Sequence, residues 1–252
     1  MVKRFISGTL VLACALLFAH TAQPATPAEN EVMVTVIEGT AKSFTARAAA
    51  GVRIKKGDRL TKEHEVKVGE KSRLELRFAD NTVMRLSEKS TLKLSDISYN
   101  KETGAKNFKV ALSVGKMWAK VKKLVTPDST VEVKTVNAVA GVRGTVYRVN
   151  VEEDKSAMVK VYDGAVYVAS PPKEVPKPAT EVSGPVPVPG PHEVPKPVHE
   201  VTMEEWQVIV RSMQQISISP QGVASPPQDF TAQEDADDWV KWNQERDKKV
   251  AF

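Results

Sequence analysis

Residues 139–149 read VAGVRGTVYRV, a stretch in which two glycines flank Val142 and Arg143 and an alternating apolar pattern follows. Glycine at 141 and 144 leaves the backbone free to adopt a positive φ or to approach another backbone closely. The apolar residues on either side would anchor such a bend between two strands. The stretch therefore predicts a backbone bend within a β structure, with Gly141, Arg143, Gly144 and Thr145 as its structural signature.

Outward from this stretch, residues 31–170 alternate apolar and polar side chains with a period of two. The clearest strand is 73–78, where Leu74, Leu76 and Phe78 face one way and the charged residues between them face the other. Turn residues interrupt the pattern: Asp80-Asn81 predicts a tight connection and the Asp-Gly pair at 163–164 predicts a hairpin. At least eight short strands without a long helical pattern predict an all-β body, which the period alone leaves open as a sandwich, a roll or a solenoid-like fold.

Composition changes sharply on either side of this body. Residues 1–22 have the basic start and apolar run of a signal peptide, which could also be retained as an anchor, and 23–31 form a short linker. Residues 171–200 are rich in proline, which favours an extended linker. An edge strand laid over the β body is the alternative. The single cysteine, Cys14, lies in the apolar run, so we expect no disulfide and no cysteine-bound metal in the exported chain.

Residues 201–252 predict a small helical tail. A capping box at Thr202–Glu205 precedes apolar residues at helical spacing, which predicts a helix over 203–215. A second capping box, at 231–234, precedes Trp239 and Trp242 and predicts another helix. Two tryptophans in a charged terminal helix are typical of a face that docks on its own domain.

The formal charge is divided between these regions. Residues 31–170 contain 26 Lys and Arg against 17 Asp and Glu, a net of +9, whereas 171–252 contain 8 against 13, a net of −5. A basic body suggests an anionic partner. Nucleic acid is disfavoured as the partner of an exported chain. In addition, no aromatic residues interleave with the basic ones.

The parts of a catalytic site are absent from the pattern. The histidines of the exported chain are few, and two of them lie in the proline-rich stretch, where an extended linker rarely supplies the neighbouring groups that hold metal ligands in place. No Gly-x-Ser-x-Gly elbow occurs, and Gly141-x-x-Gly144 lacks the Lys-Ser/Thr of a phosphate loop. We therefore expect a protein that is not an enzyme and has no cofactor or metal.

Several motifs, taken in order, resemble one family. AVAGVRGT at 138–145 resembles the signature of the FecR-type domain, and five further motifs fall in the family's order: VxEG at 36–39, GDxL at 57–60, SRxELxFxD at 72–80, LxxGxMW at 112–118 and VxVxDGxV at 159–166. The resemblance covers most of 32–170. A weaker match, WxxWNxxRD at 239–247, is similar to short tails that follow such domains.

The resemblance implies an exported, non-enzymatic β domain of the bacterial cell envelope, in the periplasm or secreted. Well-known members are the periplasmic part of sigma-factor regulators that receive a signal from an outer-membrane receptor. We expect no cytoplasmic domain ahead of the apolar segment, which would make the chain more similar to stand-alone exported members. We expect a binding or scaffold module that contacts an envelope protein or an anionic glycan, with signal relay as the alternative, and with a membrane only through an uncleaved N-terminal segment.

The candidate contact residues are basic side chains of the β body and the tryptophans of the tail. They are Arg148, Lys116, Lys120, Lys122, Lys123, Trp239 and Trp242. Arg143 suits a structural role instead, in which its planar guanidinium pins strand carbonyls or a carboxylate.

Overall fold

The computed structural model describes residues 27–171 and 207–250. Within these ranges the chain forms seventeen strands, which contain about half of the described residues, and one helix near its C-terminal end. The strands are β1 (Val32–Glu38), β2 (Ala41–Thr45), β3 (Ala48–Arg53), β4 (Arg59–Leu60), β5 (Glu65–Val68), β6 (Arg73–Phe78), β7 (Val83–Leu86), β8 (Thr91–Tyr99), β9 (Lys106–Lys120), β10 (Thr130–Lys134), β11 (Val139–Val142), β12 (Val146–Val151), β13 (Ala157–Asp163), β14 (Ala165–Ala169), β15 (Gln207–Arg211), β16 (Gln214–Ile218) and β17 (Gln228–Asp229), and the helix is α1 (Asp238–Asp247).

The strands form two sheets that share the long strand β9. The front sheet runs β4-β1-β6-β7-β9-β12-β13-β16-β17, and the back sheet runs β3-β2-β5-β8-β9-β10-β11-β14-β15. The pairings of β9 in the back sheet lie at 106–114, and those in the front sheet lie at 115–120. Every pairing is antiparallel except β9 with β10. The all-β prediction is confirmed, and the sandwich is the alternative that the sheets adopt.

One core lies between the sheets. The inward faces of both supply it, and the rings of Phe78 on β6 and Phe108 on β9 meet across it with centroids 4.5 Å apart. Apolar side chains alternate with outward ones along most strands, as in β10 and β14. The period of two seen in the sequence therefore reports burial against a single sandwich core.

Glycine allows β9 to pass from one sheet to the other. Gly115 has φ +99°, and a Cβ there would lie 2.5 Å from the Cα of Ser90. A side chain is excluded both by the backbone conformation and by the neighbouring strand end.

Two local predictions fail in the structure. The Asp-Gly pair at 163–164 does not join a hairpin, because β13 pairs in the front sheet and β14 pairs in the back sheet. The predicted helix over 203–215 is wrong where the structure describes it, since 207–211 and 214–218 are strands that extend the two sheets. The predicted signal peptide and almost all of the proline-rich linker lie outside the described residues.

Other local predictions hold. Asn81 has φ +71° in the tight connection between β6 and β7. The capping box at 231–234 forms, because Thr231 and Glu234 exchange hydrogen bonds through their side chains and main-chain N–H groups. It closes a turn, however, and α1 begins later with Asp237 as its N-cap.

Candidate functional site

A row of side chains crosses the outer face of the front sheet. Strand register places Glu75 of β6 opposite Arg85 of β7, and Arg85 opposite Trp118 of β9. Trp118 in turn lies opposite Arg148 of β12, which lies opposite Lys160 of β13. We call these five residues the charged row. They point away from the core, yet the first four are buried because the C-terminal tail covers them.

Helix α1 closes one end of the charged row. Arg85 donates from Nε to Glu75 Oε2 at 2.7 Å and from Nη1 to Asp247 Oδ1 at 2.6 Å. Arg246 also donates to Glu75 Oε2, at 3.0 Å, while Trp118 Nε1 donates to Asp247 Oδ2 at 3.0 Å. Glu75 thus accepts from two guanidinium groups and from the hydroxyl of Thr35, and Asp247 accepts from one guanidinium and one indole N–H. Hydrogen bonds in which both groups are charged are the stronger ones.

Asp235, in the turn before α1, closes the other end. Its Oδ1 accepts from Arg148 Nη2 at 2.6 Å and from Lys160 Nζ at 2.8 Å. Its Oδ2 accepts a short hydrogen bond from the hydroxyl of Tyr162. Asp237 lies 3.6 Å from Arg148 Nη1 and adds a second negative charge. One buried tail carboxylate is therefore shared by two cations of the sheet, and Asp237 supplies the second negative charge.

Two carboxylates of this interface, Glu75 and Asp235, have a lowered pKa. Burial by itself would raise the pKa of Glu75, but hydrogen bonds from Arg246, a threonine and Arg85 outweigh it and lower the pKa from 4.5 to about 2. Burial likewise opposes ionisation of Asp235, and the hydrogen bonds from lysine and tyrosine together with the Arg148 charge hold its pKa below the usual value.

The two tail tryptophans reinforce the docking. Trp239 is buried against Trp118, and its ring stacks on Trp242 with centroids 5.4 Å apart. The guanidinium of Arg73 lies over the Trp242 ring at 5.2 Å, and Trp242 Nε1 donates to Glu38 Oε1 at 3.2 Å. The predicted docking face on the parent domain is confirmed.

The predicted basic contact cluster does not form one patch. Arg148 is buried under the tail, and Lys120 donates to the main-chain carbonyls of Asp247 at 2.9 Å and Val250 at 2.8 Å. Lys116 and Lys122 are half-buried, and Lys123 is exposed. Part of the basic charge of the body is therefore matched by the acidic tail of the same chain.

The outer face of the back sheet differs from that of the front sheet. Along β10, β11, β14 and β15, no described segment covers it. Register places Glu132 of β10 opposite Gly141 of β11, Gly141 opposite Tyr167 of β14, and Tyr167 opposite Ile209 of β15. Tyr167 is 43% exposed and Ile209 is 52% exposed. These strands form an open groove of about 430 Å³, which we call the back groove, and Arg143 lies at its side.

Of the signature residues, Gly144 and Thr145 have structural contacts, whereas Arg143 is exposed. Gly144 has φ +115° where the chain crosses from β11 to β12, and a Cβ there would lie 2.7 Å from the Cα of Lys123. Thr145 is buried and donates from Oγ1 to the carbonyl of Ala165 at 3.0 Å. Arg143 is exposed, and its side chain has no hydrogen-bond or ion-pair partner among the described residues. The described residues therefore include no carboxylate or strand carbonyl that the Arg143 side chain pins, and the pinning role stays a prediction.

Sequence reasoning missed the residues that dock the tail. Glu75 and Arg85 fit an ordinary exposed position in an alternating strand, and Asp235 lies in an acidic run typical of a solvated turn. The available signal was the opposite net charge of body and tail, which indicates that one part could bind the other.

Neither a metal-binding cluster nor a membrane-spanning helix occurs among the described residues. Within 27–171 and 207–250, no group of three or more His, Cys, Asp or Glu side chains could hold a metal ion. Helix α1, the one helix in those ranges, is too short and too polar to cross a membrane.

Comparison with known proteins gives one family match. A family model described as FecR protein matches residues 64–167, from just before β5 to the middle of β14. Two crystal structures of a candidate anti-sigma factor from Parabacteroides distasonis ATCC 8503, at 1.65 and 2.50 Å resolution, are similar to the chain. Each is 18% identical with a TM-score of 0.44, and the match covers 67% of this chain and 61% of that one. The chain thus spans about three fifths of those structures, and no curated protein matches it.

Proposed function

This chain carries a FecR-type domain, and on that premise we propose that it is a non-enzymatic binding module of the bacterial cell envelope that relays the state of a protein partner. The domain supports a regulatory, signal-relay role. Binding without chemistry is the simplest way for such a domain to act, because the buried carboxylates Glu75 and Asp235, whose pKa values are lowered, are engaged in holding the tail.

The observation that carries the proposal is the accessible surface of the back groove. Large apolar side chains lie there beside the family signature, together with a cation that pairs with no described side chain. Aromatic residues and arginine are enriched in protein interfaces, where they supply most of the binding free energy. A catalytic cleft would instead place perturbed acids or bases in an open pocket.

Photo-crosslinking in the bacterial host tests this function. A photoreactive residue at Ile209 of the full-length chain should yield one defined envelope protein, identified by mass spectrometry. The same residue at the exposed Lys241 of α1 is the matched control and should not yield that adduct. Deletion of the gene should then change the transcripts that respond to the identified partner.

An anionic envelope glycan is the second candidate, favoured by the net charge of +9 over residues 31–170. It predicts retention of the purified protein on glycan matrices that falls steeply with salt. If no protein adduct forms at Ile209 and glycan retention is strong, the relay proposal is wrong.

A further inference from the structure

We propose that the back groove receives an acidic segment of a protein partner, with an apolar side chain seated over Gly141 and a carboxylate on Arg143. The inference deepens the proposed function and rests on it, since it names where and by what chemistry that partner would bind. It gives the signature stretch a binding role in addition to its structural one.

Gly141 is the first reason, because the backbone does not require a glycine there. Its φ lies outside the positive range, and a Cβ at this position would meet no atom closer than the Tyr167 carbonyl oxygen, at 3.9 Å. Gly144, three residues later, has both a positive φ and a backbone clash. Glycine in the interior of a strand costs stability and marks a place where a ligand or another backbone approaches. The missing side chain at 141 leaves space that a partner can use.

The walls of the groove are the second reason. Gly141 lies between Glu132 and Tyr167 in the cross-strand row, so the gap opens beside an aromatic ring. Among the apolar residues that line the groove, Tyr167 and Ile209 are exposed and Leu124 is half-buried, whereas Val131, Val142 and Val166 belong to the core. An apolar side chain entering this gap would lose contact with water where it meets Tyr167 and Ile209.

Charge is the third reason, and it selects an acidic occupant. Arg143 follows β11 on the outward side and has no partner among the described side chains, while Lys123 lies exposed beside Gly144. The acid of the groove, Glu132, is 3.9 Å from Lys109 across the strand pair, so it is already balanced. An exposed guanidinium next to an apolar gap is complementary to a carboxylate followed or preceded by an apolar residue.

Defined peptides provide the test with the full-length protein. The probe is a synthetic peptide that alternates glutamate with leucine. Two comparison peptides replace every glutamate by glutamine or every leucine by serine. Titration by NMR or calorimetry should show binding of the first peptide, and weakening by about tenfold or more when either feature is removed.

Variants locate the binding. Gly141→Leu fills the gap and Arg143→Gln removes the cation, and each should weaken the probe by about tenfold. The matched controls are Val136→Ser, at an apolar residue 60% exposed outside the groove, and Arg47→Gln, at an exposed arginine of the β2–β3 connection. Both controls should bind as the wild type does. Should Gly141→Leu unfold the protein, Tyr167→Ser supplies a second test of the same wall.

Three outcomes overturn the inference: equal binding of the glutamine peptide, unchanged binding in the groove variants, or preference for an anionic polysaccharide such as polygalacturonate over the peptide. The outcomes are separable from failure of the proposed function. If the crosslinked partner is found but Gly141→Leu still binds it, the groove is wrong and the relay function stands. If the peptide binds as expected but no envelope partner exists, the groove chemistry stands and the relay function is wrong.

Discussion

The two outer faces of the sandwich differ in whether their charged residues are exposed to solvent. On the front, Arg85 and Arg148 point away from the core but are buried under the tail and bound to its aspartates. On the back, Arg143 also points away from the core but remains exposed beside an open apolar groove. Outward orientation in a strand therefore does not define a binding residue. Whether another part of the chain covers the face decides its role.

Because of this difference, we expect the charged residues of the front face to affect stability and those of the back face to affect binding. A buried ion pair is costly to disrupt, because loss of one partner leaves an uncompensated charge away from water. An exposed cation has no partner that its removal would leave unpaired. Its substitution therefore changes binding more than it changes the free energy of unfolding. The front face should thus respond to substitution as a core does, and the back face should respond as an interface does.

The largest effect should come from Arg85→Met. The substitution removes the hydrogen bonds to Glu75 and Asp247 and should lower the free energy of unfolding by about 3–5 kcal/mol. Urea denaturation followed by tryptophan fluorescence measures the change. The matched control, Arg143→Met, should stay within about 0.5 kcal/mol of the wild type. Equal losses in the two variants would erase the distinction between the faces.

Next in size is the contrast between the two signature glycines. Gly144→Ala places a side chain at a positive φ and against the Lys123 backbone, so it should cost about 2–3 kcal/mol. Gly141→Ala meets no atom closer than 3.9 Å. It should be neutral or stabilising by about 0.5 kcal/mol, because alanine has less conformational freedom to lose on folding. Thermal unfolding of both variants provides the comparison, and a destabilised Gly141→Ala would mean that the groove glycine is structural.

Acidification should detach the tail from the front sheet before it opens the strands of the back sheet. The pKa of Glu75 is about 2 in the fold against 4.5 ordinarily, so its stabilising contribution is complete above the ordinary value and is lost as the pH falls from about 4.5 towards 2. The lowered pKa of Asp235 acts in the same direction. Hydrogen exchange should therefore show α1 opening on acidification while β11 and β14 remain protected.

A variant provides the control for the acid response. Asp235→Asn removes one of the titrating groups and should be less stable at neutral pH by roughly 1–3 kcal/mol, since Arg148 and Lys160 lose their shared carboxylate. Its stability should also depend less steeply on pH at acidic pH, where the wild type protonates this group. An unchanged pH dependence would show that Asp235 does not hold the tail.

The smallest effect on stability should come from Ile209→Ser. Its side chain is 52% exposed and belongs to the back groove, so the free energy of unfolding should change by less than about 0.5 kcal/mol. Chemical denaturation measures it. A loss above about 1 kcal/mol would mean that the back face is packed rather than open.

Much of the fold could be predicted because it depends on local patterns. Alternation at 73–78 identified β6, and Asp80-Asn81 identified the connection after it, since both signals act within a few residues. The helix predicted over 203–215 failed because Val208 and Val210 fit a strand as well as a helix. Pairing with β14, whose sequence lies about forty residues earlier, decided between the two.

The candidate site was predictable only in part, because its chemistry depends on contacts distant in sequence. The tryptophans of the tail indicated docking. The residues around Glu75, however, do not indicate that Arg246 of the tail binds its carboxylate. Arg148 looked available and is covered, whereas Arg143 looked structural and is exposed. Such reversals arise because burial of an outward strand residue is set by a segment nearly a hundred or more residues away.

Local patterns in the sequence were enough for the all-β class, the resemblance to the FecR-type domain, the position of the signature bend and the opposite charges of body and tail. These follow from residue period, glycine conformation and composition, which are properties of short stretches. Long-range contacts, in contrast, place β13 and β14 in different sheets, hold the tail over the front sheet and leave a groove beside Gly141 on the back sheet. Each of these depends on which distant backbone and side-chain groups meet, and the burial of charge that results cannot be deduced from local pattern.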